Sequence, residues 1–109
     1  MTMTDADNRD GDAHEQILTD ADAAFRVSAR RNRLLAHWAA EKMELTPEET
    51  AAYAKAVIQS DFEGGGDEDV IRKVLGDLVA AGCDAEQAEV RAALEEKAVE
   101  ARRQLMSES

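Results

Sequence analysis

Four arginines fall within eight residues: Arg26, Arg30, Arg31 and Arg33. Guanidinium groups at this density bind carboxylates and phosphates through paired N–H donors. Their spacing divides them. On a helix, Arg26, Arg30 and Arg33 share one stripe, at offsets of 4 and 7. That stripe is read as a solvated face, able to dock an acidic partner surface or a phosphate. Arg31 points elsewhere, at offset 4 from Val27 and in line with Leu34, Leu35 and Trp38. A second charge on an apolar face is Asp61, between Ile58 and Phe62. A lone buried charge is very costly and a paired one tolerable. Two arrangements follow. Arg31 and Asp61 meet between helices, or Arg31 lays its stem across the core edge and reaches water.

The remaining reactive side chains do not converge. Catalysis needs several titratable groups in one pocket. His14 lies in an acidic leader, and His37 falls roughly 100° off the apolar face of its helix. Cys83 follows Gly82 in a loop with no base assured beside it. No serine sits in a G-x-S-x-G frame. The acidic repeats Asp5-x-Asp7, Asp10-x-Asp12 and Asp20-x-Asp22 invite a test for calcium. With Gly11 at the sixth position of a binding loop, Ile17 takes the twelfth, where glutamate is required, so the loop fails. The Gly64-Gly65-Gly66 run lacks the Gly-Lys-Ser/Thr of a phosphate-binding loop and reads as a helix terminator or hinge. No catalytic residue, metal or cofactor is expected, and the chain is read as a binding protein rather than an enzyme.

The elements that hold these residues are all helical. Gly and Pro together make up 7 of 109 residues, and Ala, Glu, Leu, Arg and Lys dominate. Periodicity gives a first helix from about Asp20, with Val27, Leu34, Leu35, Trp38 and Leu45 on one face. Thr46, Pro47 and Glu49 spell a capping box with proline at the first helical position. The second helix carries Ala51, Ala54, Val57, Ile58 and Phe62 inward, and the glycine run ends it. Asp67 is expected to cap a third helix, which buries Val70, Ile71, Val74, Leu75 and Leu78 and stops at Gly82. Asp84 and Gln87 suggest a weaker capping box for a fourth, with Val90, Leu94, Ala98, Ala101 and Leu105 on its stripe. Four helices with short connections make an all-α, antiparallel four-helix bundle over residues 20–109.

Residues 1–24 hold seven acids and one base, more than half of the net charge of −11. Few large apolar side chains accompany them, so burial cannot offset their ordering entropy. Residues 1–19 are therefore read as a disordered, flexible acidic N-terminal arm. A chain this acidic excludes a sequence-independent nucleic-acid binder, and it argues against docking on anionic lipid. No apolar run is long enough for direct membrane insertion. One cysteine rules out an internal disulfide and fits a reducing cytoplasm.

The stretch Phe25-Arg26-Val27-Ser28-Ala29-Arg30-Arg31-Asn32-Arg33-Leu34-Leu35-Ala36-His37-Trp38-Ala39-Ala40 resembles the signature of an ATPase-inhibitor family, the zeta subunit of α-proteobacterial F-type ATP synthases. Tyr53-Ala54-Lys55, Asp61-Phe62-Glu63, Asp69-Val70-Ile71-Arg72-Lys73-Val74 and Asp77-Leu78 resemble the family's later segments, in order. The resemblance implies a four-helix bundle with an N-terminal arm. It implies that the arm enters the catalytic head between catalytic and noncatalytic subunits, near the central stalk, and blocks rotation in the hydrolysis direction. It also implies a cytoplasmic location, at the inner membrane through the synthase. Arg9, Glu15, Ile17 and Leu18 are the candidate arm contacts. Arg26, Arg30 and Arg33 are the candidate docking charges. Arg31, Asp61, Trp38 and Phe62 are structural. The alternative is a helical bundle that binds a small molecule, an adenine nucleotide, on the arginine stripe and the glycine turn.

The chain departs from the family pattern in the arm. Family arms run Asp-x-Arg-Glu-Lys/Arg-x-x-Glu-x-Lys-Phe, and the stretch here is Asp7 to Ile17. Arg9 is kept and Ile17 remains apolar. Gly11 stands in place of a helix-favouring base, Ala13 in place of an aromatic residue and Gln16 in place of a lysine. Weaker inhibition than in the best members, or none detectable, is the expected consequence.

Overall fold

The computed structural model describes the backbone of residues 2–61 and 66–108 and the side chains of residues 22–61 and 66–108. Four helices follow one another: α1 Thr2–Met43, α2 Pro47–Ser60, α3 Gly66–Ala80 and α4 Gln87–Ser107. There is no strand among the described residues. The helical backbone of α1 starts at Thr2, ahead of the Asp20 start that its apolar period suggests. The expected arm lies on this N-terminal part. Arg9, Glu15, Ile17 and Leu18 are outside the residues whose side chains are described.

The helix ends follow from local chemistry. At the end of α1, Leu45 N–H donates to Ala40 O at 3.0 Å and Glu44 N–H donates to Glu41 O at 3.2 Å. This is a Schellman turn, and its left-handed residue is Glu44, at φ 58. Thr46 then caps α2: Glu49 N–H donates to the Thr46 hydroxyl at 3.1 Å, and Thr46 N–H donates to the Glu49 carboxylate at 2.8 Å. At the end of α3, Cys83 N–H donates to Leu78 O at 2.9 Å and Gly82 N–H donates to Val79 O at 3.0 Å. Gly82, at φ 85, supplies the left-handed residue expected of it.

Helix α2 runs to Ser60 with Asp61 at its C-cap, and residues 62–65, where the glycine run is expected to end it, lie outside the described residues. Two expectations need correction. Helix α3 opens at Gly66, so Asp67 lies in the first turn and not at the cap. Helix α4 is capped by Glu86, whose side chain makes no capping bond, and the Asp84–Gln87 box does not form. In each case a tertiary tie outweighs the local signal. Asp67 is drawn to Arg31, and Ala85 packs against the core, which carries the chain past Asp84.

The core is built from small residues. Leu35, Val57, Val70, Ile71, Val74, Leu78, Val90 and Leu94 are buried together with Ala36, Ala39, Ala54 and Ala93. Helix α1 is the hub and packs most extensively on α4 and α2, with α3 bridging between them. Its inner stripe is Arg31-Asn32, Leu35-Ala36 and Ala39-Ala40, pairs spaced by four residues. Alanines on that stripe let neighbouring backbones approach closely. Trp38 and Tyr53 pack on the edge of the core and are only partly buried. Val27, Leu34 and Ile58 are likewise half-buried. Phe62 lies outside the described residues.

Candidate partner-binding surface

Three consecutive residues of α1 tie it to the other three helices. Arg31 is 9% exposed and Asn32 1%. The Arg31 guanidinium donates to Asp67 at 2.9 Å, to Asp61 at 3.4 Å and to the Asn32 side-chain oxygen at 3.0 Å. Asn32 Nδ2 donates to the same Asp61 oxygen at 2.9 Å. Arg31 therefore pairs with Asp61, and it also reaches the edge of the core, where Asp67 is largely exposed. A hydrogen bond from each of its three nitrogens makes the buried guanidinium tolerable, and no buried side-chain polar atom among the described residues lacks a partner.

Arg30 is not part of a free solvated stripe. Its side chain is 19% exposed. Nη1 donates to Gln104 at 2.9 Å and to Glu108 at 2.9 Å, and Nη2 donates to Glu108 at 3.4 Å. The pattern of α1 alone cannot show this, because α4 covers the stripe at that turn. Arg26 remains exposed and pairs with Asp22 at 2.9 Å. Arg33 is exposed. Hydrogen bonding to Arg30 holds the Glu108 carboxyl below the usual carboxylate range, with help from the charges of Arg30, Arg33 and Arg26.

These arginines rim an open groove of ≈ 350 Å³ whose apolar lining includes Phe25, Ala29, Ile58 and Leu105. A second groove of ≈ 270 Å³ shares Phe25, Ala29 and Ile58 and runs to Asn32 and Asp61. The two form one surface at the end of the bundle that carries residues 1–21. At the opposite end, Lys42 lies over the Trp38 ring at 5.0 Å and pairs with Glu89 at 3.4 Å. Elsewhere Tyr53 donates to Asp77 at 2.8 Å. Burial, and then the Asp77 carboxylate, push the Tyr53 hydroxyl far above its ordinary pKa. Arg91 and Glu68 form a two-bond pair across α3 and α4, at 2.8 and 2.9 Å, and the bond to Arg91 lowers the Glu68 pKa.

Sequence reasoning missed Asn32, Asp67, Gln104 and Glu108. Asn32 was legible in principle, since it precedes Ala36 and Ala40 at steps of four on the small-residue stripe. Glu108 gave no local signal. Among the described residues no group of three His, Cys, Asp or Glu side chains is placed to hold a metal ion. No helix searched is long and apolar enough to cross a membrane.

The ATPase inhibitor subunit zeta family model matches residues 3–104. The chain belongs to this family. A solved structure determined by solution NMR is 46% identical to this zeta-family chain, covers 78% of it and 96% of its own length, and superposes with a TM-score of 0.68. No match was found among curated proteins. Family membership makes this an inhibitory, regulatory protein of an ATPase, and the four-helix architecture is the one the sequence pattern implies.

Proposed function

We propose that this chain is a non-catalytic subunit that binds the catalytic head of the F-type ATP synthase and inhibits ATP hydrolysis through residues 1–19. Its membership of the zeta inhibitor family over residues 3–104 is the observation that carries this reading, because the matched span takes in the arm. The division of labour is physical. An acidic arm with few apolar residues gains little from burial on its own, so the cost of fixing it on a partner limits its affinity. A folded bundle adds contacts and supplies the rest. Arg9, Glu15, Ile17 and Leu18 act in the arm, and Arg26 and Arg33 act on the bundle. Arg30 contributes once its tie to Glu108 is released. The partner sites are the catalytic and noncatalytic subunits beside the central stalk, which puts the protein at the cytoplasmic face of the inner membrane.

Gly11 lowers helix propensity by about 1 kcal/mol relative to Ala. Loss of an aromatic anchor at Ala13 removes roughly 2 kcal/mol of burial. Together these weaken arm insertion on the order of 100-fold. The test is ATP hydrolysis by the cognate head, freed of this subunit and titrated with the full chain or a chain lacking residues 1–21. Inhibition by the full chain, lost on truncation, is expected at high subunit concentration. Equal inhibition by both would move the inhibitory element into the bundle. Failure of both to bind the head would overturn the proposal.

A further inference from the structure

The arginine groove already holds a carboxylate. Glu108 is the C-terminal cap of α4, and its two oxygens take the two terminal nitrogens of Arg30. This forked geometry fits the two oxygens of a planar carboxylate. Arg26 and Arg33 lie close enough to add to the stabilisation of that charge. The Glu108 side chain is 56% exposed, at the last turn of the last helix, so little holds it except the guanidinium. Below the charges, the apolar lining is contributed by α1, α2 and α4. Cations beside an apolar floor complement one kind of occupant, a helix with acidic and apolar residues on adjoining stripes. On a chain of net charge −11, a cluster of three arginines around one groove is a place where an acidic surface can approach with little repulsion.

We infer that this groove receives an acid-bearing amphipathic helix of the catalytic head, and that Glu108 occupies the position of that helix's carboxylate in the free subunit. The inference rests on the synthase-binding reading above and adds to it the chemistry of the docked segment and an internal competitor. Docking exchanges one carboxylate for another on Arg30, so the cost of desolvating the guanidinium is largely met before the partner arrives. Arg33 has no ion-pair partner among the described residues and supplies new attraction. Exposed pairs of the Arg30–Glu108 kind are weak, and their competition with an incoming group is correspondingly modest.

The experiment measures the dissociation constant of the catalytic head for the full-length chain and three variants, at low and high salt. Glu108→Gln is expected to tighten binding two- to five-fold. Arg26→Glu with Arg33→Glu is expected to weaken it at least ten-fold, and the loss should shrink in high salt. A control with the same charge change on another face, Lys55→Glu with Arg72→Glu, should stay within two-fold of the parent. All five residues are exposed, so the variants should keep the parent's circular dichroism and melting temperature. If the parent binds and the Arg26/Arg33 variant binds equally well, or Glu108→Gln leaves the constant unchanged, the inference is overturned. If no chain binds, the synthase reading fails, and this inference fails with it.

Discussion

Replacing Arg31 with methionine isolates the buried polar tie. Methionine keeps most of the stem's packing and removes only the guanidinium. Three interactions are lost, and they are not equal. The bond to Asp67 ends on a carboxylate that is 60% exposed and readily rehydrated, so it contributes less than about 0.5 kcal/mol. The bond to Asn32 lies in the core, where Asn32 is 1% exposed, and its loss leaves a carbonyl oxygen without a donor, at about 1 kcal/mol. Asp61, 20% exposed, keeps its bond to Asn32 but loses its counter-charge, at about another 1 kcal/mol. The sum is about 2 kcal/mol, or a fall in melting temperature of about 10 °C for a domain of this size.

Urea unfolding followed by circular dichroism and by Trp38 fluorescence measures it. Adding Asp61→Asn should recover about 1 kcal/mol, because the stranded charge is then gone while an amide oxygen still accepts from Asn32. Asp67→Ala alone should change stability by less than about 0.5 kcal/mol. A loss below about 0.5 kcal/mol for Arg31→Met would refute the reasoning, and so would Asp67→Ala costing as much as Arg31→Met.

Other positions give smaller tests. Glu44 holds a left-handed conformation that glycine adopts freely, so Glu44→Gly should raise stability by about 0.5–1 kcal/mol in the same urea assay. Gly82 sits in that conformation with nothing within 4 Å of an added methyl, so Gly82→Ala should cost about 1 kcal/mol from backbone strain alone. The Tyr53 hydroxyl titrates higher in the fold than its ordinary 10.0, so its contribution is full below pH 10 and is lost as pH rises above it. Tyr53→Phe should therefore flatten the alkaline limb of a stability–pH curve. In the arm, Gly11→Lys with Ala13→Phe and Gln16→Lys should strengthen inhibition of hydrolysis by at least ten-fold, measured as the half-inhibitory concentration on the catalytic head.

The helices were readable because their ends and stripes are local. Thr46-Pro47 with Glu49, and Gly82 after Leu78, each act within one turn of chain. The inner stripe of α1 was harder. Large residues drew attention to Leu34 and Trp38, whereas burial selects Asn32, Ala36 and Ala40, whose small size lets the other helices come near. The same bias hid Arg30. Its place on an α1 wheel is outward, and only the return of α4 to lay Gln104 and Glu108 across it makes it half of a pair. Arg31 and Asp61 were found because two charges on two apolar faces constrain each other. Asp67 was missed because its position next to a glycine run reads as a cap. What a sequence hides here is pairing across long separations, 78 residues in the case of Arg30 and Glu108.

Residues 30, 31 and 32 connect α1 to the end of α4, the cap of α2 and the first turn of α3. Seven residues before Asn32 the arginine groove begins at Phe25, and the arm precedes it. If an arm blocks rotation by standing in a gap between subunits, its root must resist being pushed aside. A helix held at three adjacent residues by three neighbours resists tilting better than one held by apolar contact alone, because hydrogen-bond geometry is directional. Arg31→Met should therefore lower the maximal inhibition of hydrolysis while leaving head binding within a few-fold of the parent. Val74→Ala, a core substitution on α3 away from these ties, serves as the comparison at a similar stability loss. If Val74→Ala reduces maximal inhibition as much as Arg31→Met, general softening of the bundle accounts for both, and the polar ties have no part in bracing the arm.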